Sequence, residues 1–347
     1  MKRHKHLWER LCSFENLAAA AREALLGKRG KPAGARFFAV WEREVVRLER
    51  ELREGSYRPG AYFYFTITDP KERVVAAAPF RDRVVHHALV RVIEPFFEPR
   101  FIEDSYACRK GKGTHAGMRR ALEFAKRFPW AMKCDIRRYF PSIDHGLLRE
   151  RVARVIGDPQ VLGLVDAILA SHTERAPLRW PAGGELFDAV PCPHGLPIGN
   201  LTSQFFANVY LDGFDHFVKQ ELRVKGYVRY VDDFLLFGAS RVEVRALGEA
   251  AREYLRGLRL EIHPDKYRAL RCADGVDFCG FVVRADGRVR VRAAGVRRFA
   301  RRYRWMRDVA QSGIEFVRQK LSIEQRVDLA ALPLTFASGC CQFVHAR

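Results

Sequence analysis

Apolar residues recur at two different spacings along the chain, and the spacing separates helical segments from extended ones. In residues 1–55 they recur every three or four positions, as at Trp41, Val45, Leu48 and Leu52, with charged residues between them. This period places the apolar side chains on one face of a helix. The pattern therefore predicts that the chain begins with amphipathic helices.

The same criterion, together with turn residues, assigns the rest of the chain. Short runs of apolar and β-branched residues bounded by Gly, Pro or Asp predict strands, and longer runs with helical spacing predict helices. The predicted strands are 62–67, 74–78, 131–136, 258–262 and 278–283, and the predicted helices are 79–99, 116–127, a pair after 145, 199–222, 241–256 and 284–307.

Residues 227–237, YVRYVDDFLLF, carry two apolar runs on either side of Asp232 and Asp233. The pattern predicts a buried β-hairpin whose tight turn bears both acids. Adjacent carboxylates that lose hydration repel each other unless a cation is present, and Mg²⁺ prefers such oxygen ligands. The alternative is an ordinary Asp-Asp turn, since Asp suits turns. This stretch alone leaves both readings open.

Asp135 ends the predicted strand 131–136, where packing gives no reason for a carboxylate. It caps the next element or holds a metal. If this strand, a helix that starts at the Gly199 turn and the hairpin with Asp232 and Asp233 converge in one antiparallel sheet, their acids would surround two cations roughly 4 Å apart. That geometry serves in-line phosphoryl transfer.

Composition points to a folded protein with a polyanionic partner. The 347 residues are 48% hydrophobic, and 61 Lys and Arg exceed 41 Asp and Glu by 20. Nucleic acid is the expected partner, because the basic residues are spread along the chain and form no membrane anchor. The uncharged run 189–211 contains three Pro, so no membrane insertion is expected. Eight Cys without CxxC spacing indicate reduced thiols of a cytoplasmic protein.

Two basic segments are candidate nucleic-acid contacts. In 105–115, SYACRKGKGTH, glycines alternate with Arg109, Lys110 and Lys112, a combination that lets amides and cations approach phosphates. An ordinary basic loop is an equal alternative. Residues 284–307 hold ten Arg and one acid, which suits a duplex backbone better than a solvated helix face. The candidate residues there are Arg297, Arg298, Arg301 and Arg302.

Several motifs occur in the order found in one family. They are the RP turn at 58, Asp135 with Phe140, YVDD at 230–233, Lys266 and FCGFVV at 278–283. The chain resembles the bacterial reverse transcriptases of group II introns, retrons and diversity-generating retroelements. That resemblance implies an α+β right-hand polymerase with an antiparallel-sheet palm, fingers and a helical basic thumb. The implied domains are 1–104 (N-terminal helices and fingers), 105–144 and 191–285 (palm), 145–190 (fingers insertion) and 286–347 (thumb).

The resemblance also implies roles for individual residues. Asp135 and Asp232 would be the principal ligands of two Mg²⁺ ions, with Mn²⁺ as a substitute, and Asp233 and Ile136 would complete the metal site. Arg73, with Lys71 as a less certain partner, would bind the incoming triphosphate. Phe140 would lie under the sugar of the incoming nucleotide and exclude a 2′-hydroxyl, which favours deoxynucleotides. The remaining implied nucleotide-binding residues are Ile198, Gly199 and Lys266, the last beside the leaving pyrophosphate.

One departure from the family indicates a branch. Most relatives read QGxxxSP where this chain has IGNLTSQ, residues 198–204. The substituted form resembles diversity-generating retroelement enzymes, which copy a template RNA with errors at adenines. Ile198 offers an apolar wall where a glutamine would offer amide hydrogen bonds to the incoming nucleotide, so discrimination between nucleotides should weaken. The alternative is that Ile198 only packs against its neighbours. The closing residues, Ser338, Gly339, His345 and Ala346, also resemble that branch.

The partners implied are template RNA, a primer or cDNA end, deoxynucleotides and a small basic accessory protein. Two other readings remain. The first is a faithful reverse transcriptase of the retron or group II intron type. The second is a reverse-transcriptase-like protein that only binds RNA, which would predict loss of the acids at Asp135, Asp232 and Asp233.

Overall fold

The computed structural model describes residues 3–68, 72–172, 178–179, 189–190 and 192–320, without side-chain detail at 178–179, 189–190 and 308–320. Lys71 and the residues from 321 onward, with the closing Ser338 to Ala346 motif, lie outside this description. The helices are α1 (Trp8–Cys12), α2 (Phe14–Leu25), α3 (Pro32–Phe38), α4 (Trp41–Arg53), α5 (Phe80–Phe97), α6 (Thr114–Arg127), α7 (Tyr139–Ser142), α8 (His145–Val155), α9 (Pro159–Ala170), α10 (Leu201–His216), α11 (Arg241–Gly257) and α12 (Ala293–Lys320).

The strands form small antiparallel sheets, which confirms the predicted α+β class. They are β1 (Phe63–Ile67), β2 (Arg73–Ala77), β3 (Trp130–Asp135), β4 (Leu178–Arg179), β5 (Ala189–Val190), β6 (Gly226–Tyr230), β7 (Asp233–Gly238), β8 (Arg268–Arg271), β9 (Val276–Phe278), β10 (Phe281–Val283) and β11 (Val289–Val291). The central sheet has the order β6-β7-β3-β8, and β9–β11 form a separate three-stranded sheet.

Both faces of the central sheet are buried, and alternate residues of its strands enter different cores. Phe234 and Leu236 of β7 face a large cluster shared with the helices α2, α5, α10 and α11. Leu235 and Phe237 face a second cluster with α6 and the β9–β11 sheet. A strand whose two faces are both covered becomes a continuous apolar run. This explains why FLLF follows the two acids.

The β1–β2 hairpin is joined to the loop before α10. The amide of Ala76 in β2 donates to the Ile198 carbonyl at 3.1 Å. The Asn200 side chain donates to the Ala76 carbonyl at 2.8 Å. Since Asn200 precedes α10 directly, these bonds fix the hairpin to the start of the helix that packs beneath the central sheet.

Two strand predictions, 258–262 and 278–283, are wrong in detail. Residues 258–262 form no regular strand, because Arg259 adopts a positive φ of 56°. Leu258, Leu260 and Ile262 are buried alternately, and Ile262 alone forms an antiparallel bridge, with Ile136. Conversely, β8 was not predicted, because exposed Arg at both of its ends hides a two-residue apolar centre.

The other corrections concern residues 278–307. Residues 278–283 were predicted as one strand, but Cys279 and Gly280 have positive φ values and reverse the chain between β9 and β10. Residues 284–307 were predicted as one helix, whereas β11 precedes α12. Among the described residues, no helix is both long enough and apolar enough to cross a bilayer. The domain limits given above stay predictions.

Gly226 and Gly163 provide a matched test of this packing. A Cβ at Gly226 would lie 2.7 Å from the Cβ of Phe237, its partner across the β6–β7 pair, whereas a Cβ at Gly163 in α9 meets nothing within 4 Å. We expect Gly226→Ala to lower the free energy of unfolding by about 1–3 kcal/mol through overpacking.

Gly163→Ala should raise the free energy of unfolding by about 0.5–1 kcal/mol, because alanine favours a helix interior. Urea unfolding midpoints of the two variants measure both effects. Equal midpoints would contradict the pairing of β6 with β7.

Candidate active site

Acids from distant parts of the chain meet at one end of the central sheet. Asp135, the last residue of β3, lies directly opposite Asp233, the first residue of β7. The amide of Ile136 donates to the Asp232 carbonyl at 3.0 Å, which joins the end of β3 to the turn before β7. The predicted convergence of Asp135 with the hairpin acids is therefore present.

The hairpin turn contains only Val231 and Asp232, because Tyr230 of β6 pairs with Asp233 of β7. Val231 has a φ of 56°. A β-branched residue is rarely found in this left-handed region, since its side chain crowds the backbone there. The sheet register thus imposes a strained conformation on the residue just before Asp232.

The acids perturb one another electrostatically. Burial raises the pKa of Asp233 to about 7; Lys133 lowers this pKa, and Asp135, Asp232 and Asp277 raise it further. Burial and the charge of Asp135 likewise raise the pKa of Asp232. Repulsion between nearby carboxylates in a partly desolvated space produces this effect. A bound cation would relieve it.

Two lysines lie against the acids. Lys266 Nζ donates to Asp135 Oδ2 at 2.6 Å and comes from a short 3₁₀ turn, Pro264–Lys266, after α11. Lys133 Nζ lies 3.7 Å from Asp233 Oδ2 and donates to the main-chain carbonyl of Asp277 in β9 at 2.7 Å. Lys133 therefore connects the acidic hairpin with the β9–β10 hairpin.

The donor set fits a hard divalent cation. Carboxylate oxygens are the ligands that Mg²⁺ prefers, and Asp233 Oδ1 is buried without a hydrogen-bond partner. Ile136 has an apolar side chain, so only its main-chain carbonyl is available as a ligand. Within the described ranges, no three His, Cys, Asp or Glu side chains converge closely enough to form a complete metal-binding group.

Of the predicted nucleotide-binding residues, Lys266 and Arg73 are the two for which the described residues show an interaction with the acids. Arg73, exposed at the start of β2, lowers the pKa of Asp232 by its charge. Phe140 is half-buried in α7 and packs edge-on against Tyr139. Gly199 has a φ of 108°, and a Cβ there would lie 2.8 Å from Val75 Cγ1. Glycine at this position therefore permits close approach of the loop to β2.

The basic loop is only partly available to a ligand. Arg109 has a side chain 5% exposed and donates to Glu98 Oε1 at 2.8 Å and to the carbonyls of Ile102 and Ser105. Lys112 pairs with Glu103, whereas Lys110 is 92% exposed. The position of Arg109 thus favours the alternative of a structural loop residue, and Lys110 is the candidate that faces solvent.

The basic helix begins within the described residues. In α12, Arg297 and Arg301 are exposed, and Arg298 and Arg302 are half-buried. Their predicted contact with nucleic acid stays a prediction.

Sequence reasoning missed four residues of this region: Lys133, Asp215, Arg229 and Asp277. Arg229 and Asp215 are completely buried and pair with each other at 2.6 Å. The signal was present, because Arg229 stands within the apolar run YVRYV and a buried arginine requires an acid partner. The sequence did not reveal which acid, since Asp215 lies on a helix fourteen residues earlier.

An antiparallel sheet that joins acids from two distant segments at one end and is covered by helices is the arrangement of a right-hand polymerase. The chain belongs to the reverse transcriptase (RNA-dependent DNA polymerase) family, whose model matches residues 68–283.

Curated relatives include bacterial and intron-associated proteins. Protein YkfC of Escherichia coli K12 is 27% identical over 278 residues, which cover 68% of this chain and 70% of YkfC. Nuclear intron maturase 1, mitochondrial, of Arabidopsis thaliana is 33% identical over 96 residues, covering 28% of this chain and 14% of the maturase. The group II intron-encoded protein LtrA of Lactococcus lactis is 25% identical over 183 residues, covering 52% of this chain and 29% of LtrA.

Thus the chain matches most of YkfC but less than a third of the maturase and of LtrA. Among solved structures, apo telomerase from Candida tropicalis aligns with a TM-score of 0.49 and 9% identity, covering 73% of this chain and 53% of that one.

Arg109 and Lys110 provide a test that separates structure from binding. Because Arg109 satisfies two buried carbonyls and a carboxylate, Arg109→Ala should lower the free energy of unfolding by about 1–3 kcal/mol. Lys110→Ala should change it by less than about 0.5 kcal/mol, as for other surface substitutions. Urea denaturation measures both values. An unaffected Arg109→Ala protein would restore Arg109 as a ligand-binding candidate.

Proposed function

We propose that the protein is an RNA-directed DNA polymerase that copies a template RNA into cDNA by two-metal phosphoryl transfer. The observation that carries this proposal is the meeting of Asp135, Asp232 and Asp233 at one end of the sheet, next to Lys266 and Arg73. Membership of the reverse transcriptase family supports it. The retained acids count against a protein that only binds RNA.

In the proposed reaction, Asp135 and Asp232 would hold two Mg²⁺ ions, for which Mn²⁺ could substitute. Bound there, the ions would lower the pKa of the attacking primer hydroxyl and neutralise the leaving pyrophosphate. Arg73 orients the triphosphate, and Phe140 lies beneath the sugar and excludes a 2′-hydroxyl. Lys266, whose ammonium group already lies at Asp135, supplies a proton or positive charge to the pyrophosphate.

We further propose that the enzyme belongs to the diversity-generating branch and makes errors opposite template adenines. The IGNLTSQ segment supports this reading, because Ile198 stands where most relatives have a glutamine. The Ile198 carbonyl accepts a hydrogen bond from the Ala76 amide of β2, the strand that begins with Arg73. A small basic accessory protein is the partner that this branch implies. The second candidate is a faithful enzyme of the group II intron type, which the similarity to LtrA and to the intron maturase favours.

Primer extension on a defined RNA with all four deoxynucleotides and Mg²⁺, followed by sequencing of the cDNA, tests both candidates. Errors concentrated opposite adenines support the diversity-generating reading. Uniformly faithful cDNA favours the intron type. RNA binding without synthesis, with or without a co-expressed accessory protein, would contradict the polymerase.

Asp232→Ala should abolish synthesis. The rate should fall by at least about 10³-fold, because several kcal/mol of transition-state stabilisation depend on the cations that this carboxylate would hold. Affinity for RNA should be unchanged. Asp166→Ala is the control, since Asp166 is exposed and pairs with Arg149 at the surface. Synthesis by the Asp232→Ala protein would refute the metal assignment.

Ile198→Gln should lower the error rate opposite adenines, because an amide can hydrogen-bond the incoming nucleotide where isoleucine cannot. We expect a reduction of about tenfold, the effect of roughly 1.4 kcal/mol of discrimination. Ile198→Leu keeps an apolar wall and should leave the error spectrum unchanged. If the original protein and both variants show the same error spectrum, Ile198 does not determine fidelity.

A further inference from the structure

The Arg229–Asp215 pair is completely buried below the acidic hairpin. Arg229 Nε donates to Asp215 Oδ1 at 2.7 Å, and Nη2 donates to Oδ2 at 2.6 Å. Both side chains have no exposed surface. Removing two charges from water costs several kcal/mol for each ion, and a well-packed apolar pair is often equally stable. Stability alone therefore gives little reason for an ion pair at this position.

The free edge of the guanidinium points to another role. Arg229 Nη1 donates to the main-chain carbonyl of Val231 at 2.9 Å. This carbonyl belongs to the peptide group whose nitrogen is that of Asp232. Fixing its oxygen therefore fixes the plane from which the Asp232 side chain projects, since a peptide group is rigid. The contact acts on the one residue of the turn with a left-handed backbone.

The other partners keep the guanidinium from moving. Tyr227 OH donates to Asp215 Oδ1 at 2.7 Å, and Asn208 Oδ1 lies 3.3 Å from Arg229 Nη1. Asp215 and Asn208 both belong to α10, and Asn208 Nδ2 donates to the Ala107 carbonyl at 2.8 Å. The arginine is thus held from the helix side and reaches the turn from a fixed point.

The main chain of Arg229 is also held. Its amide donates to the Asp104 carbonyl and its carbonyl accepts from the Tyr106 amide, both at 3.0 Å. These two bonds, on the outer edge of the sheet, oppose any sliding of β6 that would move the Arg229 side chain. The guanidinium has one orientation, and that orientation is directed at Val231.

We propose that Arg229 is a positioning residue, oriented by Asp215, that holds the Val231–Asp232 peptide in its strained conformation and so directs the Asp232 carboxylate toward Asp135. This inference rests on the proposed function only for its effect on cDNA synthesis. The arginine touches neither nucleotide nor metal. Without it, the turn relaxes and Asp232 loses its fixed place in the cation site.

Two variants of the 347-residue chain test this role. Arg229→Lys keeps the charge, but an ammonium group cannot satisfy two carboxylate oxygens and a carbonyl in the planar fork geometry of arginine. The triple variant Tyr227→Phe, Arg229→Met, Asp215→Leu replaces the ion pair and its tyrosine by apolar side chains of similar size, so no charge is left buried without a partner. Asn208 stays in place and keeps its bond to the Ala107 carbonyl.

The matched control is Arg259→Met. Arg259 pairs with another buried acid, Asp144, and has no bond to the hairpin turn. Urea unfolding identifies the variants that remain folded. Steady-state primer extension then gives kcat and KM for the deoxynucleotide, and electron paramagnetic resonance of free Mn²⁺ gives the affinity of the cation site without any turnover.

For folded Arg229→Lys and triple-variant proteins, kcat should fall by about 100-fold, the usual effect of a misplacement of about 1 Å. KM and RNA affinity should stay within about twofold, and Mn²⁺ should bind about tenfold more weakly, a change of roughly 1.4 kcal/mol. Arg259→Met should leave kcat and Mn²⁺ affinity unchanged. Loss of kcat together with a matching rise in KM would indicate general distortion and overturn the proposal.

The Mn²⁺ measurement separates the two proposals. If the unmodified protein makes no cDNA but binds Mn²⁺, and the triple variant binds it more weakly, the polymerase proposal fails and the positioning role stands. If the triple variant folds and keeps wild-type Mn²⁺ affinity, the positioning role fails whatever the activity. Should the triple variant not fold, Arg229→Lys decides by the same criteria, and its wild-type behaviour overturns the proposal.

Discussion

Repulsion among Asp135, Asp232 and Asp233 is the constraint on which the arrangement of this region depends. In a partly desolvated space the interaction between like charges is several times stronger than in water. Burial, with a further contribution from the charges of Asp135 and Asp232, raises the pKa of Asp233 to about 7. Lys133 reduces the repulsion at Asp233, and Lys266 reduces it at Asp135. Each lysine comes from a different element, so the site is balanced only when β3 and the turn after α11 are both in place.

The central sheet supplies the rigidity that this balance requires. Strand β3 is paired on both sides, with β7 and with β8, and both faces of the sheet are covered. Asp135 therefore has little freedom, and the adjustable part of the site is the two-residue turn. The conformation of this turn depends on Arg229 in β6, which is oriented by Asp215 in α10. The position of the acids thus depends on a helix, α10, through a strand, β6, that contacts the turn.

The sequence predicted those features that depend on local patterns. The hairpin around Asp232, the strand ending at Asp135 and the helices α5, α6 and α11 follow from apolar spacing and turn residues. The partners of Arg229 and Lys133 could not be predicted, since they are set by strand register and helix packing. The pattern at 258–262 misled because a loop that crosses a core also buries alternate side chains.

The two outer strands of the central sheet are protected in different ways. The outer edge of β6 is occupied by residues 104–106, which bond to the main chain of Arg229. Strand β8, the other edge, is only four residues long and exposes Arg268 and Arg271 at its ends. Short, positively charged edges discourage pairing with strands of a second copy. A basic protein expected to collect on RNA at high local concentration is thereby guarded against edge-to-edge aggregation, and the arginines that hid β8 from sequence reasoning provide that protection.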